Sequence, residues 1–350
     1  MPVPGTDVLI RGGGPVGCAL ALALQGSHLK VRVIGRSNTE AAFRPLALSH
    51  ASRLILERLD VWRSLEATPI GTIHVSQQEA FGRTVMDAAD AGVPALGYVT
   101  EYSALLSLLH AKCEGLFVKG EMQARCVVHA EGSLPEARQK RYAQDALVAL
   151  VRTEPASADT AFERFTAEGP LALLPLAGRY ALVWSCRPER AAELAQCSPE
   201  LFLERLAVAA GRRPGRPVQV ESRALQPLSL RVHPARVMPR AVFIGNAAQT
   251  LHPVAGQGLN LGLRDAWDLS RAFVESRDPG DATVLARYAA SRRFDAQAAI
   301  SVTDALAGAF LGANPLARAV RGLALTALDL APGPRRFFAR RMIYGPSALP

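Results

Sequence analysis

Residues 7–34 read DVLIRGGGPVGCALALALQGSHLKVRVI, and this stretch sets the architecture of the chain. Asp7–Ile10 is a short apolar strand, Pro15–Leu24 an Ala- and Leu-rich helix, and Lys30–Ile34 alternates again as a strand. The turn after the first strand is Gly12-Gly13-Gly14-Pro15-Val16-Gly17, so glycines 12, 14 and 17 match G-x-G-x-x-G. The first glycine permits the tight turn, the second lets a diphosphate approach the backbone, and the third lets helix and strand pack closely. Free N–H groups and the positive end of the helix dipole then face the phosphates. The pattern predicts a dinucleotide-binding βαβ unit with Gly12, Gly14, Pro15, Val16 and Gly17 at the diphosphate. One part of the fingerprint is missing. A carboxylate about 20 residues on normally grips the adenosine ribose, but here the second strand ends Val33-Ile34-Gly35-Arg36. A glycine turn used only for packing would also lack it.

A second glycine-bearing bend lies far along the chain, at residues 244–262, IGNAAQTLHPVAGQGLNLG. Ala241–Ile244 is a strand, Gly245-Asn246 ends it, and Leu259–Phe273 is a helix. The loop between has almost no charge and meets a helix N-terminus free of carboxylates. Backbone N–H groups and the dipole there suit an electron-rich or anionic ring. An ordinary strand-to-helix connection built on an Asx turn is the plainer alternative.

Between the two bends, Ala47–Leu59 and Tyr102–Lys112 read as helices and Thr72–Gln77 as a strand. Arg125–Gly132 reads as a buried strand ending in a turn. Ala146–Val151, Ala161–Phe165, Leu171–Leu174 and Arg179–Ser185 form a β-meander broken at Gly169-Pro170 and Ala177-Gly178. Pro199–Gly211 is a helix, and from Gly258 the pattern is mainly helical. The fold expected is α/β: a Rossmann-like domain from 1–72, 98–145 and 233–282, an inserted antiparallel β-sheet substrate domain from 73–97 and 146–232, and a helical C-terminal region, 283–350.

The chain has 350 residues, a formal charge of +9 and 49% hydrophobic residues, which describes a folded protein with an anion-attracting surface. Its five cysteines are scattered and odd in number, against a disulfide framework or zinc site and in keeping with a reducing cytoplasm. No signal-peptide pattern opens the sequence, and no apolar run reaches the ~18–20 residues of a membrane span.

The Gly12–Gly17 turn together with Asn246–Asn260 resembles the ubiquinone-biosynthesis flavoprotein hydroxylases, relatives of para-hydroxybenzoate hydroxylase. The branch it is most similar to is the octaprenyl-methoxyphenol hydroxylase type (UbiH-like), which carries Gly-Asn and Ala-Ala-Gln where the wider family has Gly-Asp and Ala-Ala-His. Phe162–Thr166, Gly169–Pro175 and Leu182–Trp184 resemble its middle section, and the likeness covers nearly the whole chain. The resemblance implies FAD, with NAD(P)H as transient reductant, and a flavin peroxide that hydroxylates a prenylated aromatic substrate. By position it implies Gly12, Gly14 and Gly17 at the diphosphate, and Arg36 compensating for the absent ribose carboxylate. It further implies Arg44 near the flavin, Asn246 at the ribityl and phosphate region, and Pro253, Gly256, Gln257, Gly258, Leu259 and Asn260 along the isoalloxazine ring. Two other departures stand out: Glu131 replaces the family's aspartate, and the run from Lys112 to Arg125 is short by a β-hairpin.

No general base announces itself. His252 in the flavin loop and Arg164 on the meander are the weak catalytic candidates, with His74 and Tyr180 as lesser ones. The histidine spacing points to no metal site. The C-terminal run Pro334–Tyr344 mixes bases with aromatics, either as a partly packed helix or as contact with an anionic membrane, which would place a cytoplasmic protein peripherally at the inner membrane. Nucleic acid has no recognition motif here. Two rivals to the hydroxylase stay open: a degenerate, non-catalytic subunit of a biosynthetic complex, and a flavin reductase or dehydrogenase.

Overall fold

The computed structural model describes residues 5–36, 43–132, 134–250, 257–309 and 315–344. β1 (Thr6–Gly13), α1 (Pro15–Leu24) and β2 (Val31–Arg36) form the expected unit, with β1 and β2 parallel and Val8 paired to Val31. Val8, Leu9 and Ile10 are wholly buried, because α1 covers one face of their sheet. β3 (Pro45–Ser49) and α2 (His50–Arg58) follow, then β4 (Thr68–Ile70), β5 (Thr72–Gln77), β6 (Arg83–Asp87), α3 (Ala88–Ala91), β7 (Gly97–Glu101) and α4 (Tyr102–Cys113). Residues 47–49 are therefore strand and not helix. Leu46, Ala47 and Leu48 pair with Thr100, Val99 and Tyr98, and Ser49 caps α2 by accepting from the Ser52 N–H.

β8 (Ala124–His129) pairs parallel with β1 and completes the nucleotide-type sheet with β14 (Val237–Met238) and β15 (Ala241–Phe243), in the order β14-β15-β8-β1-β2. The connection from α4 to β8 is short. A 3₁₀ turn, Glu114–Leu116, leads to one parallel bridge between Phe117 and Val33, and the chain then enters β8.

The larger sheet has eight strands, in the order β16-β13-β9-β12-β11-β10-β5-β6. Its members are β9 (Arg138–Glu154), β10 (Thr160–Phe165), β11 (Pro170–Leu176), β12 (Arg179–Cys186), β13 (Arg216–Val232), β16 (Gln249–Thr250) and the β5–β6 pair. β9 runs far beyond the expected 146–151, since its polar first half is held by pairing to β13 rather than by its own hydrophobic pattern. On one face Leu147, Leu171 and Trp184 pack under α5 (Pro188–Gln196) and α6 (Pro199–Ala210), with Leu194, Phe202 and Leu206. Residues one step along each strand point to the other face, as the two-residue strand repeat requires. α7 (Gln257–Val274) returns across α1, followed by α8 (Ala282–Ala309), α9 (Pro315–Leu330) and α10 (Pro332–Tyr344).

Candidate flavin site

The two glycine-bearing bends meet. Val16, in the first turn of α1, wedges between Gly245 and Gly262: a Cβ on Gly262 would lie 2.6 Å from Val16 Cγ2, and one on Gly245 3.1 Å from both Val16 methyl carbons. Glycine at both positions lets the α1 turn and the β15–α7 bend close against each other. Gly12, at φ 110°, has no room for a side chain beside the Ala130 backbone, and a Cβ on Gly17 would collide with the Gly12 carbonyl. α1 begins with Gly14 in extended conformation, Pro15 at its first position, no side-chain cap and no acidic residue in its first turn. Its leading N–H groups are thus available to an anion.

A cavity of about 600 Å³ opens where these bends converge. Gly12, Gly14, Pro15 and Val16 line it at one end; Arg44, Asn246, Gly258 and Leu259 line it elsewhere. Ala146, Val148 and Val183 of the large sheet form an apolar wall. Such a volume lies within the usual range of ligand pockets. Gly35 also borders it, at φ 82°, a conformation that disfavours a glutamate there. Carboxylates come instead from elsewhere: Glu131 accepts from the Ala130 N–H at 3.1 Å and meets His129 Nδ1 at 3.0 Å, and Glu121, in the short connection, pairs with Arg11 at 2.5 Å. Arg44 is exposed on the wall, its guanidinium 5.1 Å from the Tyr102 ring centroid. Asn246 is exposed in a 3₁₀ turn, Gly245–Ala247.

Other expected residues lie differently. Asn260 does not border the cavity. It is buried and clamps α7 to β3 and α2: its Oδ1 accepts from the Ser49 N–H at 2.8 Å and the Ser52 hydroxyl at 2.7 Å, and its Nδ2 donates to the Ala47 carbonyl at 2.9 Å. His252, Pro253 and Gly256 fall outside the described residues, as do the side chains of Arg36 and Gln257. The Arg36 backbone ends β2 opposite Gly13, and Gln257 begins α7.

Arg164 is a correction. It shares a row with Leu171, Trp184 and Leu147, on the face covered by α5 and α6, and its guanidinium lies against Gly211. Burial and the neighbouring Arg213 lower its pKa. His74 pairs opposite Phe162 on that same face, and the Tyr180 hydroxyl is engaged with Ser157, so neither serves the cavity.

Behind the second bend lies a buried charge network that the sequence reading missed. Asp265 accepts from the Gly245 N–H at 3.2 Å, Gln249 Nε2 at 3.0 Å and Arg292 Nε at 2.9 Å, with Arg236 at 3.3 Å. Burial would raise its pKa, but Arg236 and Arg292, with the Arg292 and Gln249 hydrogen bonds, overcome this and hold it below the ordinary carboxylate range. Arg292 also meets Asp268 at 2.8 Å and Asp295 at 2.5 Å, and Arg264 meets Asp295 at 3.1 Å. The available signal was the Arg264-Asp265 pair inside an otherwise apolar helical repeat. A second overlooked group is Glu163, one residue before Arg164 and therefore on the opposite face.

Known proteins resemble this chain over most of its length. Residues 126–303 match the family model described as an FAD binding domain. The 3-demethoxyubiquinol 3-hydroxylase of Escherichia coli is 30% identical over 374 positions, spanning 93% of this chain and 95% of that protein. Ubiquinone hydroxylase UbiL of Rhodospirillum rubrum is 31% identical over 379 positions, spanning 95% and 88%. Both alignments exceed the 350 residues here, so these relatives carry stretches that this chain lacks. Among solved structures, p-nitrophenol 4-monooxygenase PnpA of Pseudomonas putida superposes with a TM-score of 0.77 at 16% identity, covering 95% of this chain and 96% of that one. PqsL of Pseudomonas aeruginosa in complex with 2-aminobenzoylacetate gives 0.74 at 22% identity, covering 91% and 98%. The chain belongs to the FAD-dependent hydroxylase family of ubiquinone biosynthesis.

Proposed function

We propose that this protein hydroxylates the aromatic ring of a polyprenylated phenol, with FAD as cofactor and NAD(P)H as electron donor. The observation that carries the reading is the single cavity that begins at the Gly12–Gly17 turn, passes the β15–α7 bend and ends on the apolar wall of the large sheet. FAD fits these residues: the cradle at Gly12 and Gly17 admits no side chain, and the α1 N-terminus offers uncapped N–H groups. Gly12, Gly14 and Gly17 would hold the diphosphate, with Pro15 and Val16 shaping the turn. Asn246 and Arg44 would contact the ribityl and ring region, and Gly258 and Leu259 would flank the ring system. Arg36 would take part of the ribose side. Pro253, Gly256 and Gln257 retain the roles the family resemblance implies, while Asn260 positions the start of α7. Bound FAD supplies the activated oxygen; the chain supplies orientation, a dry wall and fixed dipoles.

Purified protein should carry flavin absorbance, and a prenylated methoxyphenol should accelerate NAD(P)H oxidation and gain one atom from labelled O₂. No flavin uptake at all would return the non-catalytic reading. Peroxide as the sole oxygen product would return the reductase reading.

Membrane contact is part of the same proposal, since a prenylated substrate resides in lipid. No described helix is long and apolar enough to cross a membrane. α9 and α10 instead expose Val320, Leu323, Leu330 and Phe337, each more than half accessible, beside exposed Arg336 and Arg340. Apolar side chains with flanking arginines suit an anionic bilayer surface.

A further inference from the structure

We infer that Glu163 is the carboxyl that accepts the ring-hydroxyl proton of the phenolic substrate. The inference rests on the hydroxylase reading above. It starts from strand register: Val148 pairs with Val183, Val183 with Ala172, and Ala172 with Glu163, so all four point to one face of the large sheet. Val148 and Val183 are the apolar wall of the cavity. Glu163 stands two strands beyond Val183 along this row, roughly 10 Å away at the usual strand spacing. A substrate ring lying on the wall would have its polar edge toward Glu163.

Among the described residues, no hydrogen-bond donor or cation meets that carboxyl. Its next neighbour in the row is Val75, and Ala161 and Phe165 flank it on its own strand. On one side Ile73 and Leu174 pack with Phe43, Ile70 and Val99. On the other, Phe165 packs with Leu325 of α9 and lies 5.2 Å from the Arg321 guanidinium, which has Arg318 as a charged neighbour. Glu163 is nonetheless partly accessible, on the same face as the cavity wall although beyond the residues that line the cavity itself. Burial pushes its pKa up to about 7, and no charged group contributes to that shift. An unpaired carboxyl costs free energy in such a setting and is kept where it has a task.

The step is a proton transfer without redox change. The phenol O–H bond breaks, a carboxylic O–H bond forms on Glu163, and the electron pair stays on the ring oxygen. The ring so enriched is the better nucleophile toward electrophilic oxygen. A base with a pKa near the working pH suits such a transfer.

Holoprotein can be tested by isotope-edited infrared spectroscopy together with turnover. The wild type should show a protonated-carboxyl band that titrates near pH 7, shifts when a prenylated methoxyphenol binds and is missing from Glu163→Gln. That variant should keep its flavin and its rate of flavin reduction by NAD(P)H. Oxygen incorporation should fall on the order of 100-fold or more, with electrons diverted to peroxide. The rise of the oxygenation rate through pH 7 should vanish in Glu163→Gln and partly return in Glu163→Asp. Wild-type oxygenation and an unchanged pH limb in Glu163→Gln would overturn the inference, as would a band that ignores the phenol. A wild-type protein that holds flavin but never oxygenates such phenols would remove the hydroxylase reading itself, and this one with it.

Discussion

Glu163 also makes a stability prediction that needs no substrate. Its carboxyl is near 4.5 when the chain is unfolded and is raised to about 7 by burial, so folding takes up a proton between those values. Stability from this group is fullest below pH 4.5 and is lost as pH rises through 7. Glu163→Gln should therefore leave stability near pH 4 little changed and raise it by about 3 kcal/mol at pH 8. Urea unfolding of both proteins across that range checks it. Gly262 is the second decisive residue. A methyl there would press on Val16 and on the Gly245 backbone, so Gly262→Ala should cost ~1–3 kcal/mol and loosen FAD retention. Adding Val16→Ala should recover part of both losses, measured by denaturation and by flavin released on dilution. At this scale the glycine spacing 12, 14, 17 was legible because it needs only local turn chemistry. Glu163 was not legible, since nothing local says which of two adjacent meander residues faces inward; the sheet's partners decide.

Among the elements, α7 carries the most. Its first turns bring Gly258 and Leu259 to the cavity, its buried Asn260 fastens it to β3, and its Asp265 reaches back to the Gly245 N–H. The bend that Asp265 steadies is the one carrying Asn246. Removing the carboxylate leaves Arg292 and Arg236 facing each other in a buried site. Asp265→Ala should destabilise by about 3–5 kcal/mol, far more than an exposed pair would. Because Asp265 titrates below its ordinary value in the fold, its contribution should be full above pH 4 and fade as pH falls through the folded pKa. A thermal melting series in acid on the wild type and Asp265→Asn checks that sign. Helix α7 itself was readable from its repeat, as were α1 and α4. The strand at 45–49, the length of β9 and the whole of β13 were not, because their stability comes from distant partners rather than from their own pattern.

The outer face of α9 and α10 is where the whole molecule meets its surroundings. If that face rests on lipid, the protein should sediment with anionic vesicles and be released by salt. Leu323→Glu with Phe337→Glu should cut that binding about 10-fold or more while flavin content stays unchanged. Equal binding by the double variant would discard the face. The sequence by itself determined the βαβ start, its dinucleotide-type turn and the two glycine bends, since each rests on residue types that backbone geometry demands over a few positions, while FAD followed from the family resemblance. The tertiary structure alone decided that the bends touch through Val16, that Asn260 and Asp265 brace them, and that Glu163 rather than Arg164 shares the sheet face of the cavity wall. Those facts depend on strand register and on contacts between separate segments, more than two hundred residues apart for Val16 and for Asn260. No local pattern encodes a partner that the chain reaches only by folding.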